Sequence, residues 1–344
     1  MNSVSKTLYI VILLSLFSNS IFSSESKLKN EPELKEKDTS PIFLKSNVLE
    51  KKTMQITFSL LQEHRKNKII DHNLPMPIKK YSDMNNYIAF LDVSYGIKNN
   101  FTVGINLGIL FDHYDNKHYL FTQGEKYNVT LFNPELFLKW KAVNSKKSKM
   151  NLTVFFGMQP SKSDELFAGQ VYQPYLFSSA NSFRLGVFMD FPLKRVVFFL
   201  NTIFNFAILF PGDVRGYASQ YESTTIEDDD KYYFVIFVQT GVHFIASKYF
   251  SLNLSVKFVY NSKVKLALQN SDYNIEPAYY FSPGLKINFK LSKNFYTSFS
   301  FEYLIYSAIN SSLYYRSTTT TTTLDAEITS NYMLYFVFMS KINF

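Results

Sequence analysis

From Thr53 onward, hydrophobic and polar residues alternate with a period of two. The clearest run is 101–111. Phe101, Val103, Ile105, Leu107, Ile109 and Phe111 share one parity, while Thr102, Gly104, Asn106 and Gly108 share the other. Successive strand side chains point to opposite faces, so such a segment is a strand with one wholly apolar face. The same pattern starts near Met54, Tyr87, Phe132, Met150, Phe183, Val196, Tyr232, Phe250, Phe281, Phe295 and Tyr332. Each run is about ten residues, long enough to cross a bilayer when tilted. The connections alternate short (98–100, 144–149, 192–194, 246–249, 292–294) and long (65–86, 112–126, 160–181, 211–230, 262–276, 306–328). Six long and five short connections make twelve strands. The pattern therefore predicts an all-β chain: a transmembrane up-and-down antiparallel β-barrel with short periplasmic turns and long extracellular loops.

Charge supports the parity. Glu63, Asp92, Glu135, Asp190 and Glu302 lie opposite the apolar faces, as do Arg184, Lys257, Lys286 and Lys341. A basic residue on the lipid face near mid-membrane costs roughly 2–4 kcal/mol, so charge belongs inside. A soluble β-sandwich also alternates. Its solvent face would be generously charged, and its turns would not alternate short and long over the whole chain.

Composition sharpens this picture. Charged residues are 19% of the 344, below the roughly 25% of a soluble domain, while aromatic residues reach 18%. Mean hydropathy is −0.09. A polytopic helical membrane protein would instead need repeated apolar runs of about 20 residues. There is no Cys, which excludes disulfides, thiolate metal sites and thiol catalysis, and five His leave little for a multi-His centre. No cofactor or metal is expected.

The first residues read differently. Lys6, the apolar run Leu8 to Phe17 and the small residues up to Ser23 form a secretory signal peptide over 1–23. Residues 24–52 are Lys- and Glu-rich with too few apolar side chains to offset ordering entropy. They are expected to be a flexible charged periplasmic tail, with the barrel occupying 53–344.

At the other end Tyr332, Leu334, Phe336, Phe338, Ile342 and Phe344 share one face. This resembles the C-terminal signature of bacterial outer-membrane β-barrels of the porin-like kind. In that family an aromatic last residue follows alternating apolar positions and is read by the barrel-insertion machinery. The resemblance implies an outer-membrane location, with Phe336, Phe338, Ile342 and Phe344 as the insertion signal. Ser340 departs from the ideal pattern. The segment Tyr95-Gly96-Ile97, then Lys-Asn-Asn, then 101–107 resembles the early hairpin of transporters named for the phenol meta-pathway. The chain has only 11 Gly and lacks the Gly-rich strands usual there, and no functional residue carries over.

The inner face is the expected working surface. Asn106, Asn201, Asn205 and Gln239 join the nine charged groups there, together with Phe137, Phe155, Phe188, Phe199 and Phe237. Twelve strands fall between a filled eight-stranded interior and a sixteen-stranded aqueous channel. The expectation is a channel passing small, partly hydrophobic solutes through a narrow mixed lumen. Five inward acids against four bases predict no strong ion preference. The alternative is a structural or adhesin-like barrel with a blocked lumen, acting through its loops. A barrel hydrolase is the third reading. It would rest on Asp112, His113, Asp115 and His118, residues of the types that activate water, although a solvated loop collects them freely.

The short turns and their flanks carry Lys98, Lys139, Lys141, Lys146, Lys147, Lys149, Lys194, Arg195, Lys248, Lys290 and Lys293. These are expected to meet anionic lipid headgroups. The long loops are more acidic, and the run 227–230 reads as a flexible solvated loop in preference to a site sharing a divalent cation with lipopolysaccharide phosphates. The net charge of +8 thus needs no nucleic acid, for which there is no motif. The Thr run 318–323 reads as an unstructured loop or an edge ribbon.

Overall fold

The computed structural model describes residues 44–71, 78–116, 124–131, 134–143, 150–160, 165–166, 180–209, 213–214, 222–223, 232–267, 271–306, 309–315 and 320–344. Among them, twelve long strands close into one barrel. They are β1 (Thr53–Asp71), β2 (Ile78–Lys98), β3 (Phe101–Asn116), β4 (Glu135–Val143), β5 (Asn151–Gln159) and β6 (Ala180–Leu193). They continue with β7 (Val196–Leu209), β8 (Tyr232–Ile245), β9 (Phe250–Asn261), β10 (Ala278–Lys290), β11 (Phe295–Tyr303) and β12 (Thr320–Asn343). Each pairs antiparallel with its sequence neighbours, and β1 pairs with β12 from Thr53↔Asn343 to Asp71↔Leu324, which closes the barrel wall on itself.

The outer face is the expected one. Leu107, Leu138, Phe156, Leu185, Phe204, Leu254, Phe281 and Phe301 are exposed, as an apolar wall in lipid must be. Tyr232, Tyr279 and Tyr303 lie toward the long-loop end of this wall, where a hydroxyl meets the headgroup layer. Cross-strand ring pairs reinforce it, among them Phe258–Phe281 at 5.0 Å and Phe299–Phe336 at 5.1 Å between centroids. Tight turns close the opposite end. In the turn between β6 and β7, Lys194 has φ 52°, a left-handed conformation.

Two features differ from the sequence expectation. The strands overrun the membrane: β1, β2 and β12 have 19, 21 and 24 residues, so much of the expected long loops is paired ribbon. Within the Thr run, Thr320–Thr323 pair with Ser312–Tyr315. The wall strand expected from Phe132 starts at Glu135 after Pro134, which has no N–H for the ladder, and Gly124–Leu131 pairs separately with β3. Phe132 lies outside the described residues.

The second difference concerns the charged tail. Residues Phe43–Phe344 form one compact unit, so the last part of 24–52 belongs to the barrel. The expected signal peptide and residues 24–43 lie outside the described residues. Leu44 to Lys52 run against the inner wall at the short-turn end, and their polar groups are held there. Leu49 N–H donates to Thr102 Oγ1 at 2.8 Å, Thr153 Oγ1 donates to the Ser46 carbonyl at 2.8 Å, and Ser46 Oγ donates to Asp190 Oδ2. Leu44 packs on Val197 and Phe199. A stretch without periodicity is ordered by partners on four distant strands, which no local pattern reveals.

Candidate functional site

The interior is the concave, polar-lined surface of the protein, and the sequence-selected residues fall on it. Glu63, Glu135, Asp190, Asn201, Asn205 and Lys257 are all buried on the parity opposite the lipid wall. Asp92, Asn106, Arg184, Gln239, Lys286 and Glu302 share that parity and are half-buried.

The structure sorts them into groups. Glu135 Oε1 meets Arg184 Nε at 3.2 Å across β4 to β6. Lys257 pairs with Glu302, and Ser282 Oγ donates to the same carboxylate oxygen at 3.2 Å. Asn201 Nδ2 donates to Gln239 Oε1 at 3.4 Å, and Gln239 Nε2 donates to Ser255 Oγ at 3.2 Å, a polar ladder over β7, β8 and β9. Ser94 Oγ donates to Asp92 Oδ1 at 2.5 Å. Glu63 lies on β1, opposite Met333 of β12. Asn106 lies in register between Asp92 and Glu135. Its Oδ1 and that of Asn201 have no hydrogen-bond partner among the described residues.

The inward aromatics form a wall of their own. Phe137, Phe155 and Phe188 are buried with Ile203 packed against them, the rings 5.8 and 5.9 Å apart in sequence. Their partners across the ladder explain how they fit. Phe137 pairs with Gly104 and Gly157, and Phe155 with Gly186. A Cβ at Gly104 would overlap the Phe137 ring, and one at Gly186 would press on Phe155 and Phe188 at 3.1 Å. Each ring therefore lies flat in a gap left by a missing side chain instead of projecting into the bore.

Three inward bases were misplaced or missed in the sequence. Lys139 and Lys141 were assigned to the basic turn flank. Strand β4 runs on to Val143, so both share the inner parity of Glu135 and Phe137. Lys139 Nζ sits 5.7 Å above the Phe137 ring. Both positions share the parity of Glu135, so the alternation of this strand carries them inside although they flank a short turn. Lys45 was placed in the flexible tail. It is enclosed by the barrel yet exposed, and no sequence signal marks it. Enclosure pushes its amine down to about 8. Lys257, Lys286 and Lys139 act the same way, and Glu302 opposes them. Among the described residues these three lysines add to the basic side of the inner face.

His243 is fully buried near the short turns with Nδ1 against Asn253 Oδ1. Of the hydrolase candidates, Asp112, His113 and Asp115 lie on the outer end of β3, with side chains outside the described residues; His118 and the acidic run 227–230 lie wholly outside them. Among the described residues no group of three His, Asp or Glu could hold a metal. Of the residues expected to form an insertion signal, Phe338, Ile342 and Phe344 are exposed on the outer face; Phe336 shares it and meets the Phe299 ring. Phe344 N–H donates to the Lys52 carbonyl at 2.9 Å.

No family model matches the chain, and no curated protein matches it. Solved structures do. The COG4313 outer membrane channel from Pseudomonas putida F1 superposes with TM-score 0.53 at 9% identity, over 91% of this chain and 100% of that one. The shared fold is that of a bacterial outer-membrane β-barrel. The translocator domain of the autotransporter NalP from Neisseria meningitidis aligns at 9% identity and TM-score 0.44, over 86% of this chain and 90% of that one. A deletion mutant of the monoaromatic hydrocarbon channel TodX aligns at 10% identity and TM-score 0.41, over 87% of this chain and 92% of that one.

Proposed function

We propose that the protein is an outer-membrane channel passing small, partly hydrophobic solutes through a narrow lumen of mixed polarity. The carrying observation is Lys45: it is exposed and yet coupled to charged groups of β4, β9, β10 and β11, so the described side chains leave space beside it. The flat-lying rings and the polar ladder give that interior both apolar and hydrogen-bonding surface, as a pocket for small molecules needs. The likeness to an outer-membrane channel fits this reading.

The segment Leu44–Lys52 favours a second reading, a barrel blocked at the short-turn end. Purified protein in planar bilayers and in liposome swelling separates the two. Discrete conductance and sugar influx are expected. Silent bilayers and unswollen liposomes at full protein incorporation would overturn the channel and leave the blocked, surface-acting barrel.

A further inference from the structure

We propose that the rim of short turns is a docking surface for anionic phospholipid, holding phosphatidylglycerol headgroups of the leaflet it faces. Each turn does so with a base and an apolar residue side by side. The proposal stands whether or not the bore conducts.

Four short turns lie among the described residues, and none of them holds an Asp or Glu. Lys98 flanks the β2–β3 turn, Lys194 and Arg195 form the β6–β7 turn and Lys248 lies in the β8–β9 turn. Lys290 and Lys293 belong to the β10–β11 turn. Lys98, Lys194, Arg195 and Lys293 are exposed and make no ion pair among the described residues. On the inner segment Glu50 is exposed, but Lys51 and Lys52 follow it. The long-loop end differs: exposed Lys263 is paired there with Glu276 at 3.0 Å.

Each of these turns also carries an apolar neighbour. Ile97 precedes Lys98, Leu193 precedes Lys194, Tyr249 follows Lys248 and Leu291 follows Lys290, and all four are exposed. Lys248 Nζ lies 4.9 Å from the Tyr249 ring centroid. These residues continue the lipid wall, which ends on this side in outward aromatic pairs. Phe191 stands opposite Phe198, and the Phe250 and Phe289 rings are 5.4 Å apart. Such rings mark the boundary between acyl chains and headgroups.

The pairing of base with apolar residue selects the partner. An acidic soluble protein or a nucleic acid would meet the bases across water and leave the apolar neighbours without a role. A phospholipid supplies both halves: acyl chains for Ile97, Leu193 and Leu291, and a phosphate one residue further on. Long basic side chains reach the headgroup layer while their stems stay on apolar surface. An anionic leaflet attracts bases at this depth, and zwitterionic lipid of the same chain length does not.

The test reconstitutes the full mature chain in phosphatidylcholine vesicles with a trace of spin-labelled lipid. The motionally restricted fraction of the label reads association with the wall. One base at a site favours phosphatidylglycerol about fivefold, so the average round the wall should favour it over phosphatidylcholine about threefold. Potassium chloride at about 1 M should remove the difference. Lys194→Gln with Arg195→Gln, and Lys290→Gln with Lys293→Gln, should each lower the preference, and the four together should lower it most. Lys263→Gln should leave it unchanged. Heat-modifiable migration shows whether the variants are closed barrels; where they are not, the salt dependence of the unaltered chain decides. Equal association of the two lipids, a preference that survives salt, or one that survives all four replacements in a closed barrel overturns the proposal. Equal lipid association together with capture of polyglutamate by the detergent-held protein overturns it too, and assigns the rim to an acidic soluble partner.

Discussion

At the scale of single residues, the bore is shaped by what is missing. Gly104, Gly157 and Gly186 stand opposite inward phenylalanines, and each absent Cβ is occupied by a ring or by the carboxylate of Glu135. Adding a side chain therefore does not merely fill a gap. Gly104→Val should drive the Phe137 ring off the wall and narrow the lumen, with the overpacking costing about 1–3 kcal/mol. Single-channel recording should show a smaller conductance, and urea unfolding in detergent a lower midpoint. The opposite change is available at Lys194, whose positive φ suits glycine. Lys194→Gly should stabilise the β6–β7 turn by up to ~1 kcal/mol, read in the same unfolding experiment.

At the scale of elements, the segment Leu44–Lys52 decides how open the short-turn end is. It lies so close to β2 that a Cβ at Gly96 would overlap the Glu50 carbonyl oxygen, while Lys52 N–H donates to the Gly96 carbonyl at 2.9 Å. Gly96→Ala should lift the segment off the wall while the twelve strands still close. The expected outcome is a larger conductance and faster proteolysis at residues 44–52, with unchanged heat-modifiable migration of the barrel.

The strands were legible because a period of two survives in any stretch of wall with lipid on one side. That is why Glu63, Glu135, Asp190 and Lys257 could be placed inside from parity alone. Their partners were not legible. Arg184 reaches Glu135, and Lys257 reaches Glu302, across strands whose register is set by the whole ring. Strand ends were the weakest part. Lys139 and Lys141 flank a short turn and yet belong to the inner face of β4. The inner segment left no trace at all, since its order comes from Thr102, Thr153 and Asp190, each on a different strand.

At the scale of the whole molecule, the barrel separates charge by face. Leu254 stands on the lipid side of β9, next but two to the inward Lys257. Leu254→Arg should cost about 2–4 kcal/mol if it lies at mid-membrane, measured as reversible unfolding in lipid vesicles. Ser255→Arg on the inner face should instead alter ion selectivity. With Lys45, Lys139 and Lys141 counted inside, the native bore should prefer anions. A reversal potential taken under a potassium chloride gradient reads this preference, and Lys45→Gln should reduce it.

The two ends of the wall meet. Thr53 is paired with Asn343, and the amide of Phe344 reaches the carbonyl of Lys52. The barrel wall is thus a closed ring whose seam lies between β1 and β12. A circular permutant could join Phe344 to the lumen segment by a short linker and begin at the Lys194–Arg195 turn. Such a molecule would keep every strand pair. The seam between β1 and β12 would then be tied by a covalent link, and its fraying would be measurable against that of the uncut barrel.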